Sequence, residues 1–148
     1  MAVAFSEPQA PASEESIQRL ERQIGRPLPS GYRDFLRQHD GGPLDLNDKA
    51  VNEVFGLGDD VPDFASMWQK LETYRERVPD WLLLVANDSF GNLFTISLRP
   101  QDEGSVWFWD HEKEADEDEP PTEDNIRQVA PDWPTFLNSL QPVDLSQA

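Results

Sequence analysis

The sequence contains no cysteine. Disulfides, thiolate metal sites and cysteine nucleophiles are therefore excluded, and the composition fits a reducing compartment such as the cytoplasm. Histidine is scarce as well: His39 and His111 are the only two. Neither sits in an HExxH pattern, so a zinc centre would lack its usual ligands. Basic residues are few, with 12 Lys and Arg against 29 Asp and Glu and a formal charge of −17. A field of that sign repels phosphate backbones and anionic membrane surfaces and attracts basic proteins. Neither nucleic acid nor membrane is an expected partner. No apolar run approaches the length that crosses a bilayer, and MAVAFSEPQAPAS at the start lacks the basic and apolar regions of a signal peptide.

What is present points to one folded unit. A chain of 148 residues can bury a real core, and five Trp and eight Phe keep it from reading as disordered despite its charge. Residues 1–12 read as a frayed leader, 13–141 as the domain and 142–148 as a short tail. Ser13 caps an expected first helix that Gly25 ends, with Ile17, Leu20 and Ile24 on its inner face. Ser30 is the expected cap of a short second helix carrying Tyr32, Phe35 and Leu36, with His39 one turn further on. Val51–Leu57 reads as a strand, and Asp63 as the cap of a helix with a stripe of Phe64, Trp68, Leu71 and Tyr74.

The stretch from Trp81 to Ala86 is an unbroken apolar run, and Leu93–Leu98 alternates; NDSFGN between them supplies turn residues. Ser105–Asp110 follows as a further strand. Pro120 and Pro121 exclude a helix through the acidic stretch after it. Asp132 caps a last helix that tolerates Pro134 in its first turn and presents Trp133, Phe136, Leu137 and Leu140. Helices thus bracket mostly antiparallel strands, which makes the expected class α+β, a central sheet flanked by helices.

No constellation in the chain carries catalytic chemistry. There is no GxSxG, no phosphate loop and no GxGxxG. Carboxylate pairs abound, but in so acidic a chain a pair says little about acid–base work. Asp110-His111-Glu112 suggests a metal site, yet a calcium loop begun at Asp110 puts Ala115 at the turn position and Pro121 at the final ligand. No metal or other cofactor is expected. Asp88 reads as a turn residue bonding to nearby backbone N–H groups.

What remains is a binding surface. In SVWFWD, Trp107 and Trp109 alternate with Val106 and Phe108. Either both faces are covered, or the Trp face is partly open and borders an acidic loop, the makings of a protein hot spot. That loop, 110–124, holds nine acids against Lys113 alone. The candidate partner-binding residues are Trp107, Trp109, Asp110, Glu112, Glu114, Asp116, Glu117, Asp118 and Glu119.

Several pieces, taken in order, resemble the SUKH superfamily, which includes a fungal cell-wall-synthesis regulator and many bacterial toxin-immunity proteins. They are Ile17-x-x-Leu20-Glu21, Leu28-Pro29-x-x-Tyr32-Arg33-x-Phe35-Leu36, Gly41-Gly42 and Val54-Phe55-Gly56-Leu57. Ala86-Asn87-Asp88 with Gly91-Asn92, then Gly104-x-Val106 leading to Trp109-Asp110-His111-Glu112, and Val129-Ala130 before Phe136-Leu137 complete the set. The chain departs from the pattern in Trp133-Pro134 and in the long acidic insertion after Glu112. The resemblance implies an α+β domain without enzymatic activity. It further implies a cytoplasmic immunity protein that occludes a cognate toxin domain, such as a nuclease, whose basic surface an acidic inhibitor would cover. The alternative is a regulatory or scaffold module for an endogenous protein partner.

Overall fold

The computed structural model describes residues 3–143; most of the tail assigned to 142–148 lies outside them. Helix α1 spans Glu14–Ile24. Ser13 caps it by accepting the Ser16 N–H at 3.1 Å, and Gly25 closes it at φ +78, a left-handed turn that costs glycine little. α2 spans Ser30–Leu36 and buries Tyr32 and Leu36. Ser30 is its first helical residue, not its cap. Pro29 occupies the cap with no side-chain bond, because its ring fixes φ near the helical value and it has no N–H to satisfy.

α3, Met67–Thr73, departs further from expectation. Asp63 belongs to a separate single 3-10 turn, Asp63–Ala65, and Ser66 is extended between the two. The helical period therefore does not run back through Phe64, which stands 63 % exposed while Met67 takes the buried position. Trp68, Leu71 and Tyr74 pack against the core as the stripe requires. α4, Trp133–Ser139, is capped by Asp132, whose Oδ1 accepts the Thr135 N–H at 2.8 Å.

Six strands form one sheet: β1 Gly42–Pro43, β2 Val51–Val54, β3 Leu82–Asp88, β4 Leu93–Ser97, β5 Val106–Trp109 and β6 Ile126–Ala130. They pair in chain order, every neighbour antiparallel. The fold is α+β. β2 stops short of Leu57 because the chain turns toward α3, with the Gly56 N–H on the Ala65 carbonyl and the Met67 N–H on that of Gly56. Neither β1 nor β6 is visible in the sequence pattern. β1 has two residues, one a proline, and IRQVA has only one apolar residue at its start and two at its end.

Register assigns the faces. Phe94 pairs with Phe108 and Leu93 with Trp109; paired residues share a face, and neighbours along a strand oppose. Phe94 packs on Phe136 of α4 at 5.0 Å, and Trp133 meets Tyr32 of α2 edge-on at 5.8 Å. On the opposite face Trp109 meets Tyr74, at the end of α3, at 5.8 Å. Helical elements thus cover both faces of the sheet.

Residues 3–12, expected to fray, lie against the sheet edge instead. Phe5 bridges to Leu44, the Ser6 N–H donates to the Pro43 carbonyl and the Asp40 N–H to Ala10. Val3 is 1 % exposed. The short, proline-containing β1 leaves backbone groups unpaired, and this segment satisfies several of them.

Candidate partner-binding surface

The Asp-His-Glu triplet is a structural joint. The β3–β4 turn is built on Asp88, whose Oδ1 accepts the N–H groups of Phe90 and Asn92, each at 2.8 Å, while its Oδ2 accepts Asn92 Nδ2 at 2.9 Å. That bond fixes the Asn92 amide so that its Oδ1 faces His111, accepting the His111 backbone N–H at 3.0 Å and lying 2.6 Å from Nδ1. Gly91, at φ +93, lets the imidazole sit on the turn, since a Cβ there would lie 3.2 Å from its Cε1. His111 is therefore a clamp between the hairpin and the acidic loop. His39 is held by packing and one bond: its Nε2 accepts the Gln9 N–H at 3.2 Å and its ring stacks on Phe5 at 3.9 Å, while its Nδ1 is buried with no partner among the described residues.

From that joint the acidic loop is staged in steps. Asp110 caps a 3-10 turn over His111–Lys113, accepting the Glu112 N–H at 3.0 Å. Asn125 holds the far end by donating to the Asp110 carbonyl. Glu114 is gripped by Arg77 through two bonds, at 2.7 and 3.1 Å. The hydrogen bond to Glu114 raises the Arg77 guanidinium above its ordinary value. Asp116, Glu117, Asp118 and Glu119 form an exposed turn closed by the Glu119 N–H on the Asp116 carbonyl.

The loop walls a wide open groove of about 1580 Å³. Its other wall is the chain from Tyr74 to Trp81, and Leu84 of β3 contributes apolar lining. Glu112, Glu114 and Asp116 through Glu119 share the acidic wall. The two tryptophans do not join them. Trp109 is fully buried, because Tyr74 closes over it; it is core and cannot anchor a partner. Trp107 is half-buried, donates Nε1–H to Ser105 Oγ at 2.8 Å and meets Trp81 edge-on at 5.5 Å. Trp81, not Trp107, reaches the groove, with the Arg99 guanidinium 3.5 Å above its ring. Arg99 is held in turn by Asp102, whose carboxyl that bond keeps below the ordinary carboxylate range. Trp81, Tyr74 and Arg77 were not sequence candidates; strand and helix patterning marks the aromatics only as core.

A model of the SMI1/KNR4 family (SUKH-1) matches residues 11–139, nearly the whole described chain. The chain belongs to the SMI1/KNR4 family. The SPbeta prophage-derived uncharacterized protein YokK of Bacillus subtilis (strain 168) is 30 % identical over 122 residues. That match takes in 66 % of this chain and spans 62 % of the length of YokK. The residues that carry the SUKH resemblance have identifiable work in the structure. Glu21 accepts the Leu28 N–H at 2.7 Å and Arg33 at 2.9 Å, which ties α1 to α2. Asp88, Asn92 and His111 form the joint described above. Among the described residues, no helix is long and apolar enough to cross a membrane.

Proposed function

We propose that this SUKH-1 protein is a non-enzymatic immunity protein of the cytoplasm that binds a basic toxin domain and neutralises it by occlusion. The observation that carries the reading is the acidic wall itself. Asp116 to Glu119 are all exposed on one turn, and the strut from Arg77 and the joint at His111 hold that turn over a groove with aromatic lining. A toxin that holds phosphates must be basic, and opposite fields steer association toward about 10⁸ M⁻¹s⁻¹ at low salt. Trp81 and the half-buried Trp107 supply rigid aromatic surface beside the charge, the composition of an interface hot spot. His111 is bound into the joint with Asn92 and the His39 ring is packed on Phe5, which supports a binder over an acid–base catalyst.

The immunity reading predicts a toxin gene beside this one; the test is co-expression with that toxin domain, followed by stopped-flow association. Neutralising Glu117, Asp118 and Glu119 together should slow association roughly ten-fold and flatten its salt dependence while the melting temperature holds. Equal killing with and without the protein, or no complex at moderate salt, would defeat the immunity reading. Unchanged association kinetics would defeat the acidic-wall mechanism alone.

A further inference from the structure

A second acidic site, sharing no lining residue with the groove, lies at the β1–β2 edge of the sheet. Glu7 from the N-terminal segment, Asp40, Glu53 of β2 and Asp60 line a pocket of about 210 Å³, with Phe64 beside them. No Lys, Arg or His lines it. Asp40 is already committed, its two oxygens accepting the Leu57 and Gly58 N–H groups at 2.7 and 2.8 Å. Glu53 is not. It is 8 % exposed, and its Oε2 has no hydrogen-bond partner among the described residues. Its backbone gives no relief, since that N–H is spent on Asn87 Oδ1.

A carboxylate buried without a partner is costly, so it either keeps its proton or takes up a cation, and a perturbed carboxyl lining a cleft is a candidate binding group. Burial, and after it the negative charge of Glu7, pushes the Glu53 carboxyl above its ordinary value. Phe64 adds a large aromatic side chain left 63 % exposed beside the pocket, which no packing requirement explains. The volume is below the roughly 300 Å³ at which pockets begin to hold cofactor-sized ligands. Among the described residues, no cluster of three acids or histidines has metal-binding geometry. A slender organic cation satisfies all of these observations. A guanidinium does so best, because its planar fork bonds two carboxylate oxygens at once and its face stacks on an aromatic ring.

We propose that this pocket receives a guanidinium group on an aliphatic stem, the tip of an arginine side chain presented by the basic partner. The partner as source rests on the function proposed above; the pocket chemistry does not. Insertion there gives the complex a second anchor, separate from the acidic wall, with Glu53 bonding the fork and Phe64 covering its face.

The probe is N-acetyl-arginine methylamide, titrated into the full chain and followed by amide NMR, with the neutral citrulline analogue alongside. We expect saturable shifts at Gly42, Glu53, Gly56 and Ala65 with millimolar affinity, on the order of that for one isolated side chain. Binding should fall at least about five-fold for citrulline and for Glu53→Gln, and also for Phe64→Ala, whose exposed site leaves folding intact. No saturable shift, or shifts confined to residues 116–119, overturns the pocket. Equal binding by wild type and Glu53→Gln overturns it too. In the toxin complex, Glu53→Gln should raise the dissociation rate about ten-fold or more. If the probe binds and the complex ignores Glu53→Gln, the cation is a free small molecule and the partner assignment falls. If no complex forms at all, the immunity reading fails while the probe result stands.

Discussion

Truncating Asn92 to alanine would cut three hydrogen bonds at once. One ends on the Asp88 carboxylate and two on His111. A bond to a charged group is worth about 1.5–3 kcal/mol and a neutral one about 0.5–1.5. The site is part-buried, so water recovers some of the sum, and the expected loss is about 2–3 kcal/mol. In a chain of this size that lowers Tm by roughly 5–10 °C. Urea unfolding followed by tryptophan fluorescence should show an earlier midpoint at unchanged slope, the mark of altered stability with an unaltered unfolded state. A loss under about 0.5 kcal/mol is typical of an ordinary surface substitution and would refute the clamp. The same geometry sets the imidazole tautomer. Because Asn92 Nδ2 donates to Asp88, its Oδ1 faces the ring and Nδ1 must carry the proton; nitrogen NMR showing the proton on Nε2 would contradict that assignment.

Two further outcomes follow from burial. Trp109→Ala empties a fully buried site and should cost about 3–5 kcal/mol, whereas Trp107→Ala, at a half-buried position, should cost less than half as much; equal costs in thermal melts would show that the two indoles are not divided between core and surface. Glu53→Gln should stabilise the protein at pH 7. The raised carboxyl holds its proton more tightly in the native state than in the unfolded chain, so its ionised form costs stability above the folded-state value. The gain should therefore fade as pH drops and vanish below the ordinary glutamate value of 4.5, and a gain independent of pH would refute the argument.

Much of the fold was legible because its signals are local. Ser13 and Asp132 cap through side chains three residues from the N–H groups they accept, and LFTIS forms the strand its alternation suggests, although both of its faces are buried. The turn residues of NDSFGN placed the Asp88 turn for the same reason, since Asp88 accepts the N–H groups of Phe90 and Asn92. What escaped depends on contacts made at a distance. β6 is a strand because β5 offers it an edge, not because IRQVA alternates. The N-terminal segment looks like a leader until Leu44 and Pro43 present backbone groups to it. In the candidate site the acidic loop could be read from charge alone. The division between Trp107 and Trp109 could not, since strand period puts both on one face and only the position of Tyr74 decides which is sealed. Glu53 in VNEVF gives no sign in the sequence that it is buried without a cation.

The order of the strands in the sheet repeats their order in the chain. Each pairing joins sequence neighbours, which keeps contact order low and the entropy lost to loop closure small. The contacts of the C-terminal segment break that rule. Trp133 packs on Tyr32 across roughly a hundred residues of chain, and Gln141 bonds to Asp48 across 93, closures that are costly in entropy. Pro134 seats so close to α2 that a Cβ on Gly31 would lie 2.9 Å from its Cδ. The sheet can therefore zip together as the chain emerges, while the core stays open on one side until the C-terminal helix arrives to seal it. Shortening the chain before residue 140 should leave a sheet with an unsealed face, prone to self-association and not merely less stable.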